Sequence, residues 1–194
     1  ASVWGSWADS SGHEDLTEVD FILGYKRDFF EEDWFAVSAF LSYTYYAYPK
    51  INDSGDAQEV TLGIEMPNLI PLGPSSLVPT YKTTYVWDGV QSESELDNGW
   101  MNTFGFTYDI PISAWIPEQE EQSVHLLWDI TYNDGFAGCY SAWSHSTVGV
   151  STTLEWKGFY FTPAIYYQFS FDEGPLSVNT EDEIYGGVSV GYSF

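Results

Sequence analysis

The sequence predicts an all-β protein, folded as one antiparallel transmembrane β-barrel of about ten strands within a single domain, residues 1–194. Three observations predict this class. Large apolar side chains recur at every second position, the positions between them are mostly Gly, Ser and Thr, and no run of about eighteen apolar residues could form a transmembrane helix. A period of two indicates β-strands, because successive side chains of a strand point to opposite faces.

The alternation predicts the strands in order along the chain. Residues 1–7 form the first strand. The period is clearest in nine further segments, which are 19–25, 35–45, 60–66, 77–87, 100–108, 124–132, 148–156, 159–169 and 184–194. Pro79 blurs the pattern in the segment 77–87, since proline cannot donate to a strand ladder. Tilted strands of about nine to eleven residues are long enough to cross a bilayer.

The composition excludes several functional classes. The chain has five Lys and Arg against twenty-nine Asp and Glu, a formal charge of −24, while 44% of its residues are hydrophobic and 19% are aromatic. Disordered acidic chains lack such apolar content. Five cations cannot form the basic stripe that a phosphate backbone requires, so nucleic acid is excluded as a partner. The start of the chain has no Met and no apolar leader, and a trimmed product is therefore expected.

A soluble sandwich or lipocalin-like barrel is the competing class. A soluble barrel fills its interior with apolar side chains and turns polar ones to water, whereas a membrane barrel turns apolar and aromatic side chains out to lipid. The Gly, Ser and Thr of the alternate face would make a poor charged surface, but they suit a narrow polar interior. The pattern therefore favours the membrane barrel, with outer-membrane lipid as its surroundings.

Aromatic residues near the strand ends are expected to form girdles at the two membrane interfaces. The residues assigned to these girdles are Tyr43, Tyr45, Trp87, Trp100, Trp128, Trp156 and Tyr192.

The loop lengths predict which end faces outward, because bacterial barrels combine short periplasmic turns with longer outer loops. Residues 156–158 are expected to form a tight inner turn, and 67–76 and 111–122 form longer ones. The predicted outer loops are 9–16, 48–57, 88–98, 133–146 and 171–182, which hold much of the acid. On charge alone, these loops are expected to bind divalent cations weakly, and an oligomer or larger assembly stays open.

Charged residues on the Gly, Ser and Thr face are expected to face the lumen. They are Asp20, Glu59, Glu65, Lys82, Asp109, His125, Asp129 and Glu155. A lysine facing lipid near the midplane would cost about 2–4 kcal/mol, which places Lys82 inside. An acidic lumen attracts cations and repels anions. The same carboxylates could instead pair with Lys82, His125, Tyr160 and Tyr166 and plug a narrow barrel, and both interpretations stay open.

No catalytic residue, cofactor or metal ligand is assigned, and the protein is not expected to be an enzyme. His125 and Asp129 would lie about 13 Å apart along one strand, too far for a direct pair, at roughly 3.3 Å per residue. His145 lies in a predicted outer loop, where adjacent serines rarely form a working dyad with it. Residues 52–56 lack the spacing of an EF-hand and are expected to form a turn. Cys139, the one cysteine, is expected to be unpaired.

The last strand ends in Phe194, with Tyr192 two residues before it, and resembles the closing signature of bacterial outer-membrane proteins that the barrel insertion machinery recognises. Further segments are similar to those of the TorF-like family of outer-membrane porins. These are Val3-Trp4-Gly5-Ser6-Trp7, Glu18-Val19-Asp20, Tyr132-Asn133-Asp134-Gly135, Trp143-Ser144-His145, Tyr166-Tyr167-Gln168 and Glu181-Asp182-Glu183. The resemblance implies the bacterial outer membrane as location and supplies no established catalytic residues. Because members usually begin with one or two further strands, it leaves about ten or about twelve strands open.

Two functions follow as hypotheses. The first is a porin-like passive channel for small cations or small hydrophilic solutes. The second is a non-conducting structural or surface-interaction barrel with a plugged lumen, whose acidic outer loops bind a partner or cations.

Overall fold

Strands form wherever the alternating segments are described. The computed structural model describes residues 2–6, 18–49, 56–88, 98–117, 119, 121–136, 140–171 and 182–192. The strands are β1 (Ser2–Ser6), β2 (Glu18–Phe29), β3 (Val37–Ala47), β4 (Ala57–Glu65), β5 (Ile70–Leu72), β6 (Ser75–Asp88), β7 (Gly99–Ile112), β8 (Gln122–Asp134), β9 (Ala142–Thr152), β10 (Leu154–Trp156), β11 (Phe159–Ser170) and β12 (Glu183–Tyr192). Within these ranges no helix is long and apolar enough to span a membrane.

All described strands belong to one antiparallel sheet, in which each long strand pairs with the next along the chain. β9 and β10 lie end to end along β11, so the sheet has eleven strands when these two are counted as one. β5 likewise pairs with the start of β6, beyond the end of β4. The all-β antiparallel class that the sequence predicted is confirmed.

The sheet curls into an open half-barrel, and the expectation of a closed barrel is wrong for the described residues. Closure would require β1 to pair with β12, and no register pair joins these two strands. β1 has five residues against ten in β12, which is too few to cover that edge. Consequently nearly every residue of β12 is exposed on both faces of the sheet.

Prolines inside the strands lie where a neighbouring ladder is interrupted. Pro79 lies between the segment of β6 that pairs with β5, which ends at Leu77, and the segment that pairs with β4, which begins at Thr80. Pro163 lies opposite the break between β9 and β10. Because proline has no N–H to donate, these positions lose little ladder bonding, and the blurred alternation around Pro79 still belongs to one strand.

The connections fall at two ends of the sheet. At one end, Lys157 and Gly158 both have positive φ, which confirms the predicted tight turn, a two-residue hairpin loop. At the other end the predicted loop 133–146 is too long, because β8 runs to Asp134 and β9 begins at Ala142. A register shift between Thr131 and Tyr132 breaks the alternation there. The predicted loop 9–16 and most of 48–57, 88–98 and 171–182 lie outside the described residues.

The sheet buries mostly polar side chains, which is the opposite of a soluble protein with an apolar core. In the described chain the buried apolar residues are Ala36 and Val86, whereas thirteen polar or charged residues are buried. The polar face is the concave one, because its side chains converge and cover one another. Rings also lie over glycines on this face: a Cβ on Gly63 would overlap Phe40, and one on Gly149 would overlap Tyr166. Small residues therefore let rings lie flat against the sheet.

Candidate functional site: the polar concave face

Threonine hydroxyls run across the middle of the concave face. Thr61 and Thr84 are paired in register, and their hydroxyl oxygens lie 2.8 Å apart. Thr103 and Thr131 form the same contact at 2.9 Å on the next strand pair. All four side chains are buried. Since β-branched residues favour strands and each of these four hydroxyls has a partner, the threonines are buried without being left unsatisfied.

The eight charged residues predicted to face the lumen lie on one face of the sheet. The register of the strands shows this, because residues of this face are paired from one strand to the next. Examples are Gly63 with Lys82, Lys82 with Thr103, and Gly105 with Asp129. Directly opposite residues in an antiparallel pair project to the same side. Whether this face lines a lumen stays a prediction.

Three of these residues take part in two close side-chain pairs. Glu65 accepts from Lys26 at 3.0 Å between Oε2 and Nζ. His125 Nδ1 lies 2.7 Å from Asp109 Oδ1, across the β7–β8 pair. The sequence left open which carboxylate pairs with His125, because Asp109 and His125 meet only through the register of β7 and β8. Alternation places both on one face, but it does not say which residue lies opposite.

A cavity of about 410 Å³ lies beside this histidine, toward the end of the sheet that carries the tight turn. Its lining is polar and includes Asp109, Glu121, His125, Ser151 and Glu155. Glu155 pairs in register with Tyr160 and is exposed. The lining carries three carboxylates and no lysine or arginine, so it offers a negative local field.

A second cavity, of about 210 Å³, lies at the middle of the concave face. Phe40 of β3 and Asp129 of β8 both line it, together with Lys82 and Thr103 from the strands between. Side chains from such distant strands share one cavity because the sheet is strongly curled. Asp129 and Lys82 influence each other electrostatically here without forming a close ion pair.

Carboxylates also gather at the opposite end of the concave face. Asp20 is 7% exposed, and Glu18, two residues before it on the same strand, is close enough to influence it. Glu59 accepts from Thr44 at 3.3 Å and from Thr61 at 3.2 Å. Burial, followed by the nearby Glu18 carboxylate, raises the pKa of Tyr48 to about 12, so its hydroxyl remains a proton donor at neutral pH.

No group of three or more His, Cys, Asp or Glu side chains within the described ranges is arranged to hold a metal ion. His145, which was expected in a loop, lies in β9, and its Nδ1 is 2.9 Å from the Ser144 hydroxyl. Cys139 and Phe194 lie outside the described residues, as does the segment 52–55.

The convex face carries large apolar side chains, many of them exposed. Leu23 is 65% exposed, Ile165 53% and Val190 69%. These residues lie on three different strands, so the exposed apolar surface extends across the sheet. A face of this extent is far larger than the scattered apolar residues of soluble monomers.

The predicted girdle residues lie on this convex face. Tyr43 and Trp87 lie near one end, with ring centroids 6.3 Å apart, and Trp100 packs near them at a tilt against Tyr85, with ring centroids 4.8 Å apart. The Tyr45 hydroxyl donates to Asp56 at the same end. At the tight-turn end, Tyr192 contacts Phe159 at 4.7 Å and Lys157 lies over the Trp156 ring. Trp128 differs, since it lies midway along β8 against Phe106.

An aromatic cluster that was not assigned from the sequence lies in the connection between β2 and β3. Trp34 is 69% exposed and packs edge-on against Phe35 at 5.5 Å, and Phe30 contacts Phe35 at 5.2 Å. In the sequence, this cluster could have been recognised from several aromatic residues that lie close together between two alternating segments. The cluster lies at the tight-turn end, where it adds exposed aromatic surface to that of Trp156.

Comparison of the chain with models of protein families, with curated proteins and with solved structures finds no match.

Proposed function

We propose that this protein is a β-barrel of the bacterial outer membrane, and that its concave face lines a passive, porin-like channel for small cations or small hydrophilic solutes. The observation that carries this function is the inverted polarity of the sheet, which buries polar side chains on the concave face and exposes large apolar ones on the convex face. Membrane barrels have this arrangement because lipid, not water, covers their outer wall. The resemblance to the TorF-like porins supports the same location.

A position in the membrane would require every backbone N–H and C=O in the hydrocarbon to be paired. The edges at β1 and β12 would then be covered, either by strands outside the described residues or by a further copy of the chain. Insertion would depend on the machinery that recognises the closing signature at Phe194.

Cation preference rests on the charges of the concave face. Carboxylates lie along its whole length, from Asp20 at one end through Asp129 to Glu155 at the other. The lysines that register places on the described part of this face are Lys26 and Lys82, and Lys26 is already paired with a glutamate. An excess of fixed negative charge along a pore raises the local concentration of cations and lowers that of anions.

Reconstitution of the full chain in a planar bilayer under a KCl gradient tests the channel. We expect discrete conductance and a reversal potential of the sign set by K⁺. Lys82→Gln should move the reversal potential further in that direction, because it removes a positive charge from the concave face. Lys157→Gln, a change in the tight turn, is the matched control and should leave the potential unchanged. A reversal potential of the sign set by Cl⁻ would contradict the proposal.

The second candidate, a non-conducting barrel, is favoured by one observation. The threonines at the middle of the concave face are buried even though the sheet is open, and Phe40 and Asp129 converge on a cavity of about 210 Å³. Closing the sheet would narrow this space further. Absence of conductance from a folded, membrane-inserted chain would favour this candidate over the channel.

A further inference from the structure

Two carboxylates on the concave face, Asp20 and Asp88, have a buried oxygen that nothing in the described chain satisfies, and Asp20 is the one with other carboxylates acting on it. Asp20 is 7% exposed, and its Oδ1 atom is fully buried without a hydrogen-bond partner. The ion pairs of the described residues are those of Lys26 and His125, and neither involves Asp20. A buried carboxylate oxygen without a donor or a cation is costly, since transfer out of water is uncompensated.

The groups around Asp20 supply negative charge and oxygen atoms. Glu18 lies two residues before it on β2, on the same face and close enough to influence it, and the charge of Glu59 acts on it from β4. The Tyr46 hydroxyl is close enough to Glu59, and the Tyr48 hydroxyl to Glu18, for each glutamate to influence it, and neither hydroxyl donates to Asp20 Oδ1. The described neighbourhood therefore contains three carboxylates and two phenols, and no basic side chain.

The contact between Asp20 and Glu18 has a chemical consequence. Two ionised carboxylates are acceptors only, so a hydrogen bond between them requires a proton on one of them. A cation placed between the same oxygens would neutralise the same repulsion, and it would also reach the Oδ1 atom that the proton leaves unsatisfied. Pairs of carboxylates resolve their repulsion in one of these two ways.

We propose that Glu18 and Asp20 form a binding site for a hard divalent cation such as Ca²⁺, completed by water molecules. Two carboxylates are fewer than a closed protein cage would supply, which agrees with the lack of any three-ligand group among the described residues. Ca²⁺ fits better than Mg²⁺, because it accepts irregular sets of six to eight oxygen ligands, whereas Mg²⁺ demands a near-ideal octahedron.

The position of the site suits recognition of cations before they enter the concave face. Glu18 begins β2, at the end of the sheet opposite the tight turn, and Tyr48 follows the end of β3 beside it. In the proposed channel, this would be the mouth at which cations arrive from the side of the acidic loops. The site itself rests on the geometry of Asp20 and holds whether or not solutes pass through the barrel.

Luminescence of Tb³⁺, a Ca²⁺ mimic that nearby tyrosines sensitise, tests the site on the full chain folded in detergent micelles. We expect saturable emission that Ca²⁺ displaces. Asp20→Asn and Glu18→Gln should each weaken Tb³⁺ binding by about tenfold or more, since each removes one of two carboxylate ligands. Glu32→Gln removes the same charge from the exposed connection between β2 and β3, at the other end of the sheet, and should leave the affinity within about twofold.

Equal affinity in all four proteins would overturn the site and would assign the binding to the acidic loops in general. Absence of saturable emission from the unaltered chain would overturn it as well. Glu18→Gln changes a half-buried residue at the start of a strand, so it decides the matter even if Asp20→Asn does not fold. Binding is measured without a membrane potential. A chain that binds Tb³⁺ but does not conduct would therefore support the cation site and contradict the channel.

Discussion

The contact between Phe40 and Gly63 allows a sharp test of how the concave face is packed. The two residues are opposite in the β3–β4 register, and the ring of Phe40 lies over the glycine. A Cβ built on Gly63 would overlap the Cε1 and Cζ atoms of the ring and would lie 3.0 Å from Cδ1. Carbon atoms pack at about 3.5–4.0 Å, so Gly63→Ala must displace the ring by about an ångström or more.

The magnitude follows from two opposing effects. Overpacking of a well-packed contact costs about 1–3 kcal/mol, while replacing glycine by alanine within a strand gains about 0.5–1 kcal/mol. We therefore expect Gly63→Ala to lower the free energy of unfolding by up to about 2.5 kcal/mol. In a Phe40→Ala background the ring is gone, and the same change should raise the free energy of unfolding by about 0.5–1 kcal/mol.

Equilibrium unfolding in guanidinium chloride, followed by tryptophan fluorescence on protein refolded in lipid vesicles, measures both backgrounds. Gly187→Ala is the control, because a Cβ there would meet nothing within 4 Å. It should be neutral or slightly stabilising. If Gly63→Ala has the same effect with and without the Phe40 ring, the two residues are not coupled, and the ring does not lie over the glycine as described.

Three further predictions use the same unfolding measurement. Thr84→Val removes the hydroxyl that bonds its buried cross-strand partner Thr61 and should lower the free energy of unfolding by about 1 kcal/mol. Thr83→Val on the convex face should change it by less than about 0.5 kcal/mol. Similar losses for both variants would show that the threonine hydroxyl contacts do not stabilise the sheet. Leu62→Arg places a charge at the middle of the convex face and should cost about 2–4 kcal/mol in vesicles, while a cost below about 0.5 kcal/mol would indicate that this face meets water. Asp109→Asn breaks the pair with His125, and because both side chains are about half exposed it should cost less than about 1 kcal/mol; a larger loss would mean that the pair is desolvated.

The faces of the strands could be predicted from the sequence because the signal is local. In a strand the side chains alternate with a period of two, so the apolar positions of one segment identify its apolar face without reference to any other segment. Glu59 and Asp129 could therefore be assigned to the same kind of face from their neighbours alone. The register places both of them on the concave face of the sheet.

The contacts between strands could not be predicted, because they depend on register. A shift of one residue would exchange the faces of a whole strand, and a shift of two would change every cross-strand partner while keeping the alternation intact. The pairing of Asp109 with His125 and the ring of Phe40 over Gly63 are of this second kind. Alternation also failed where a bulge interrupts it, which is why the strand that contains His145 was expected to be a loop.

The sequence by itself determined the all-β class, the approximate positions of most strands and the polarity of each face, since these depend on residues within a few positions of one another. The tertiary structure alone decided that the sheet remains open between β1 and β12, and that Asp20 is buried beside Glu18 with an unsatisfied oxygen. Both depend on how strands from distant parts of the chain curve and approach each other. Local alternation carries no information about that curvature, because a flat sheet, a half-barrel and a closed barrel share the same period of two.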